Sequence, residues 1–87
     1  MKYAVAWAVA ADDQLMTIWT DAADRGAVTA ASARLAYQLT FRPLSLGESR
    51  ESSVSRFATE PPVGFLYEVI EDDKKVVVQK VFLVESL

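Results

Sequence analysis

The 87-residue chain contains no cysteine and no histidine. Their absence excludes a disulfide framework, the usual zinc sites, and any mechanism built on a thiolate nucleophile or an imidazole base. Chemistry is left to carboxylates, lysines, arginines, tyrosines and serines, and no cofactor or metal is implied. Basic residues are also short, nine against twelve acids, for a net charge of −3 and a pI near 4.8. A protein that holds nucleic acid mainly through its phosphates ordinarily presents a basic face. The global balance opposes one, leaving Arg34, Arg42, Arg50 and Arg56 as the residues from which a local patch would be built. No segment approaches the ~20 consecutive apolar residues that span a bilayer. The opening "MKYAVAWAVAADD" has the outline of a short secretory leader, but Tyr3, Val5, Trp7 and Val9 alternate with alanines, and acids stand where cleavage would fall. The expectation is a strand, in a soluble cytoplasmic protein that does not engage a membrane.

What is present describes one small domain, residues 1–87, near the lower limit of what a single core stabilises without disulfides or metal. Alternating aromatic and β-branched residues predict a first strand over about Lys2 to Val9. Asp12 and Asp13 then mark a helix start, favoured by the positive end of the helix dipole. Leu15, Ile18, Trp19 and Ala22 follow at helical spacing. Asp24 caps a second helix with the stripe Val28, Ala31, Leu35, Leu39, and Ala27, Ala30, Ala33 and Ala36 give it small surfaces for a close neighbour. Pro43 ends it, so the two helices form an antiparallel hairpin. "PLSLGESRESS" reads as a loop, "VSRFATE" as a strand stopped by Pro61 and Pro62, and "VGFLYEVI" and "KVVVQKVFLV" as strands joined through "EDDKK". The order βααβββ predicts an α+β domain, both helices on one face of a mostly antiparallel four-stranded sheet. The first strand is expected beside the last and parallel to it.

Arg50, Arg56, Tyr67 and Lys80 form the one constellation with functional content. Three cations would bind a phosphate and stabilise charge in a cleavage transition state, with Tyr67 stacking or moving a proton. Against this, charged strand residues are mostly solvated and a strand tyrosine is mostly core. A slip of one residue in register sends any of them to the other face. Trp7 and Trp19 fit a core better than an aromatic binding patch. The acid pairs Asp12–Asp13 and Asp72–Asp73 fit a helix start and a turn better than a metal site. Glu48 and Glu51 stand ready to neutralise Arg50, and the serines between positions 45 and 55 lack a histidine base.

Three stretches, "YAVAWAVAADDQL" as strand entering helix, "RPLSLGESRE" after the second helix, and "PPVGFLYEVIEDDKKVVVQKVFLV" as a closing hairpin, together resemble the RelE/ParE superfamily of type II toxin–antitoxin toxins. These are often described as plasmid stabilisation proteins, and the resemblance covers nearly the whole chain. It implies a small toxin neutralised by an antitoxin that wraps around it. RelE-like members cleave messenger RNA on the ribosome, whereas ParE-like members act on DNA gyrase. Arg50 and Arg56 fall in the region that carries family arginines, and Tyr67 matches the strand tyrosine. Two departures argue against ribosome-dependent cleavage: Glu68 stands where arginine is frequent, and Glu85, Ser86 and Leu87 stand where ribonuclease members add basic and tyrosine residues. The expectation is a toxin-like component acting by protein binding, on its antitoxin and a gyrase-like target. One alternative is an mRNA endoribonuclease using Arg50, Arg56, Tyr67 and Lys80. The other is a non-toxic interaction module or a homodimer through an exposed strand edge.

Overall fold

The structure is a computed structural model that describes residues 2–44, the backbone of 48–49, and residues 55–84. Strand β1 spans Ala4–Trp7 and gives way to helix α1, Val9–Asp21, after a single residue. The strand is therefore shorter than its alternation implied, and the helix starts three residues before Asp12. Ala8 explains the difference. Its N–H donates to the Val78 carbonyl at 2.9 Å, ending the sheet pairing, while its own carbonyl accepts from Ala11 and Asp12 and begins the helix. Val9 stands 77% exposed with no sheet neighbour, and the alanines that look like spacers in a strand are the strongest helix formers. Asp12 lies inside the first turn, where its charge still suits the dipole.

Helix α2, Arg25–Phe41, begins as expected, with the Asp24 carboxylate accepting from the Ala27 N–H at 3.0 Å. Arg25 ties the hairpin together, donating from Nε to the Trp19 carbonyl and from Nη2 to that of Thr20, which satisfies the end of α1. Val28, Ala31, Leu35 and Leu39 are all buried, and Pro43 follows the last turn. Ala27 and Ala36 are half-buried, but Ala30 and Ala33 face solvent, so only part of the small-residue surface meets a neighbour.

Beyond α2 lie β2 (Glu48–Ser49), β3 (Ser55–Glu60), β4 (Val63–Ile70) and β5 (Lys75–Leu83). The sheet order is β1-β5-β4-β3-β2. β1 runs parallel to β5, Ala4 opposite Lys75 and Trp7 opposite Val78, and the other neighbours are antiparallel. Four strands make the expected α+β sheet, and the two-residue β2 adds to its edge. β3 and β4 meet through a turn containing a cis Pro61–Pro62 bond. At the other end, Lys74 takes a left-handed φ of 49° in the turn before β5. There its ammonium pairs with Glu71, whose carboxylate also accepts from the Tyr3 hydroxyl at 2.9 Å, pinning the start of β1.

The helices cover one face of the sheet. Val63, Phe65, Tyr67 and Val69 of β4 point into that layer with Val76, Val78 and Val81 of β5. The β5 set breaks strict alternation because a bulge lies between the pairs Leu66–Lys80 and Tyr67–Val78. One extra residue on β5 there switches which side chains face the core. Past Trp7, β1 no longer flanks β5, and the Gln14 side chain of α1 accepts from the Val81 N–H at 2.8 Å. A strand edge left to solvent is thereby partly closed. No helix among the described residues is long and apolar enough to cross a membrane.

Candidate functional site

Directly opposed residues on neighbouring strands share a sheet face, so register decides which candidate side chains meet. Arg56 of β3 lies opposite Tyr67 of β4 on the helix-covered face. Lys80 lies opposite Leu66, on the other face. Arg50 lies outside the described residues, as do Glu51 and the side chain of Glu48. The structure thus brings Arg56 and Tyr67 together and separates both from Lys80 by the thickness of the sheet.

Tyr67 is fully buried, and its hydroxyl donates to the Pro43 carbonyl at 2.8 Å, joining the end of α2 to the middle of the sheet. Burial pushes its phenol up to about 12, and the nearby Arg56 charge opposes that rise. At neutral pH the group is protonated and committed to a backbone acceptor. Of the other arginines of a possible patch, Arg34 is taken up by an ion pair and Arg42 is exposed at the end of α2. The Arg34 Nε donates to Glu60 at 2.8 Å, and Arg42 ends α2, its N–H bonded to the Gln38 carbonyl.

The uncovered face is apolar where Lys80 stands. Phe57, Leu66 and Phe82 line a shallow depression of about 360 Å³ with it. Gly64 sits opposite Phe82, and a Cβ there would lie 2.5 Å from the Phe82 ring. The glycine thus leaves room for the Phe82 ring against β4. Glu68 faces Val77 on the same surface.

A second surface was missed by sequence reasoning. Between α1 and α2 runs an open groove of about 600 Å³, lined by Asp12, Leu15, Met16, Trp19, Val28, Thr29 and Ser32. Trp19 belongs to this groove and not, as expected, to the core: it is 40% exposed, and Met16 is 64% exposed. The indole is held in place, its Nε1 donating to the Thr29 hydroxyl at 3.1 Å while the Arg25 guanidinium lies 4.8 Å from the ring centre. The signal was available in Leu15–Met16 and Ile18–Trp19. Two adjacent apolar pairs make a stripe wider than one helix buries against a single layer. Trp7 packs against the core as expected, edge-on to Phe65 with ring centres 5.0 Å apart. Asp72 and Asp73 are exposed in the turn after β4, and no group of three or more potential metal ligands exists among the described residues.

A helical hairpin laid on one face of a mixed sheet, with a parallel first strand and an antiparallel meander, defines the α+β class of the chain. Among solved structures this is the fold of the RelE/ParE toxins. The RelBE2 toxin–antitoxin complex from Mycobacterium tuberculosis aligns with a TM-score of 0.77 at 21% identity, covering 97% of this chain and 100% of that one. The chromosomal ParDE system of P. aeruginosa gives 0.73 at 15% identity, over 97% and 98% of the two chains. An E. coli RelE mutant bound to an antitoxin RelB peptide gives 0.66 at 16%, over 99% and 87%. No family model and no curated protein sequence matches the chain.

Proposed function

We propose that the chain is the toxin-like component of a type II toxin–antitoxin module, working in the cytoplasm as one domain and acting by binding protein. Its partners are a cognate antitoxin and a protein target of the gyrase kind. The observation that carries this reading is the separation of the candidate nuclease groups. Tyr67 is buried and bonded to Pro43, and Lys80 stands on the opposite face among Phe57, Leu66 and Phe82. Phosphoryl chemistry needs several cations converging on one group, whereas an apolar shelf and an apolar groove suit protein contacts. The fold supports the same reading, since its solved neighbours include toxin–antitoxin complexes and a toxin bound by an antitoxin peptide.

Induced expression in a bacterial host, with and without the product of the adjacent reading frame, tests this. Growth arrest with intact messenger RNA, relieved by the neighbour, is expected. Fragmented messenger RNA would establish the endoribonuclease instead, and normal growth in both strains would leave an interaction module without toxicity.

A further inference from the structure

The outer face of α2 lacks the charge that a solvent-facing helix normally carries. Val28, Ala31, Leu35 and Leu39 are buried on one side. At about 100° per residue, the opposite side holds Gly26, Ala30, Ala33, Tyr37 and Phe41. All five are exposed, Tyr37 by 69% and Phe41 by 45%. Arg34 is the one charge of α2 beside this stripe, and Glu60 neutralises it at 2.8 Å. A helix that is apolar on both sides belongs in a buried setting.

We propose that a second copy of the chain covers this face, the two α2 helices packing antiparallel about a twofold axis between Ala33 and Arg34. The stripe is small at one end and large at the other. Ala33, Tyr37 and Phe41 make one ridge at i, i+4 spacing, with the two rings held together, centres 5.0 Å apart. Gly26, Ala30 and Arg34 make the ridge beside it. Reversing one helix on the other sets Phe41 against Gly26 and Tyr37 against Ala30 of the second copy, and symmetry repeats both pairs. Large then meets small at each position, as close packing requires. A parallel pair would set ring against ring and leave a gap between the alanines. Charge agrees with this occupant. Two chains of net charge −3 repel where acids face each other, and this stripe holds no acid. Nucleic acid or anionic lipid finds no cation along it except Arg34, already paired. The 17 residues of α2 extend about 25 Å, so one helix pair falls below the ~1,200 Å² of the smallest stable interfaces. The dimer is therefore weak and depends on concentration.

Sedimentation equilibrium of the full chain from about 10 μM to about 1 mM tests the pairing. The mass is expected to rise from 9.6 kDa toward twice that value. Ala30→Glu sets a charge against the facing Tyr37, and Tyr37→Lys removes the ring. Each should weaken association on the order of tenfold. A one-to-one mixture of the two variants should associate more tightly than either alone, because the new acid of one faces the new base of the other. Both positions are exposed, and circular dichroism checks that the variants fold. Since the chain has no cysteine, a second measurement is available. Ala33→Cys, beside the axis, should form a disulfide-linked dimer under mild oxidation well ahead of Asp72→Cys in the β4–β5 turn. A monomer at the highest concentration overturns the proposal. So do a dimer indifferent to Ala30→Glu, a mixture no tighter than its components, or equal cross-linking of the two cysteine variants. None of these outcomes depends on toxicity or on an antitoxin, so each leaves the proposed function as it stands.

Discussion

Tyr67 is buried to the last atom yet carries a hydroxyl, and a buried hydroxyl must find a partner or cost stability. It finds the Pro43 carbonyl. Tyr67→Phe leaves that carbonyl without its donor, and urea denaturation should show a loss of about 1–3 kcal/mol. The same side chain makes the fold sensitive to alkali. Its phenol ionises near 10 when unfolded and near 12 when folded, so the unfolded chain releases its proton first as pH rises. The associated stability is complete below pH 10 and is lost progressively as pH rises through about 12. Tyr3, held protonated by burial and by its bond to Glu71, acts in the same direction. Chemical denaturation midpoints should fall above pH 10, and Tyr67→Phe should flatten that fall. A midpoint independent of pH up to 12 in the wild type would contradict the buried state of Tyr67. On the other face, Gly64→Ala drives a methyl into the Phe82 ring. The atoms it meets are the outer end of a ring 37% exposed and able to swing toward solvent, so the cost should stay below about 1 kcal/mol, and Phe82→Leu should recover part of it in a double-mutant cycle measured by the same denaturation.

At the scale of elements, legibility followed how local the determining interaction is. α2 was readable from end to end because cap, stripe and proline stop all lie within its own sequence: Asp24 bonds Ala27, and four expected residues are buried. Leu35→Ala in that stripe should cost about 2–5 kcal/mol by thermal or chemical unfolding. Asp24→Ala should cost about 0.5–2 kcal/mol. The β4–β5 hairpin was readable for similar reasons. The start of α1 was not, because it is decided by where β1 loses its hydrogen bonds to β5, a partner 70 residues further along the chain. The face of Lys80 was hidden by the bulge, since Val76, Val77, Val78 and Val81 are apolar in either register and nothing in "KVVVQKVFLV" marks the extra residue. The candidate site inherited that ambiguity. Its four residues were legible as the cations and tyrosine of the strands and loop, but their mutual placement depended on register, and the groove at Trp19 depended on how closely two helices approach.

Across the whole molecule, the sheet acts as a partition. Arg56 stands half-buried on the helix side, and Lys80 is exposed on the other. Two cations so placed do not reach one scissile phosphate, because transition-state stabilisation requires donors within about 3 Å of the same developing charge. Net charge works in the same direction, since a chain at −3 gains little from counterion release on a polyanion. On the proposed reading, the double variant Arg56→Ala/Lys80→Ala is therefore expected to match the wild-type chain in a growth-arrest assay, provided its circular dichroism and denaturation midpoint show it folded. Should the double variant lose arrest and also preserve messenger RNA that the wild type degrades, both cations would be part of one catalytic centre, and protein binding would no longer account for the activity.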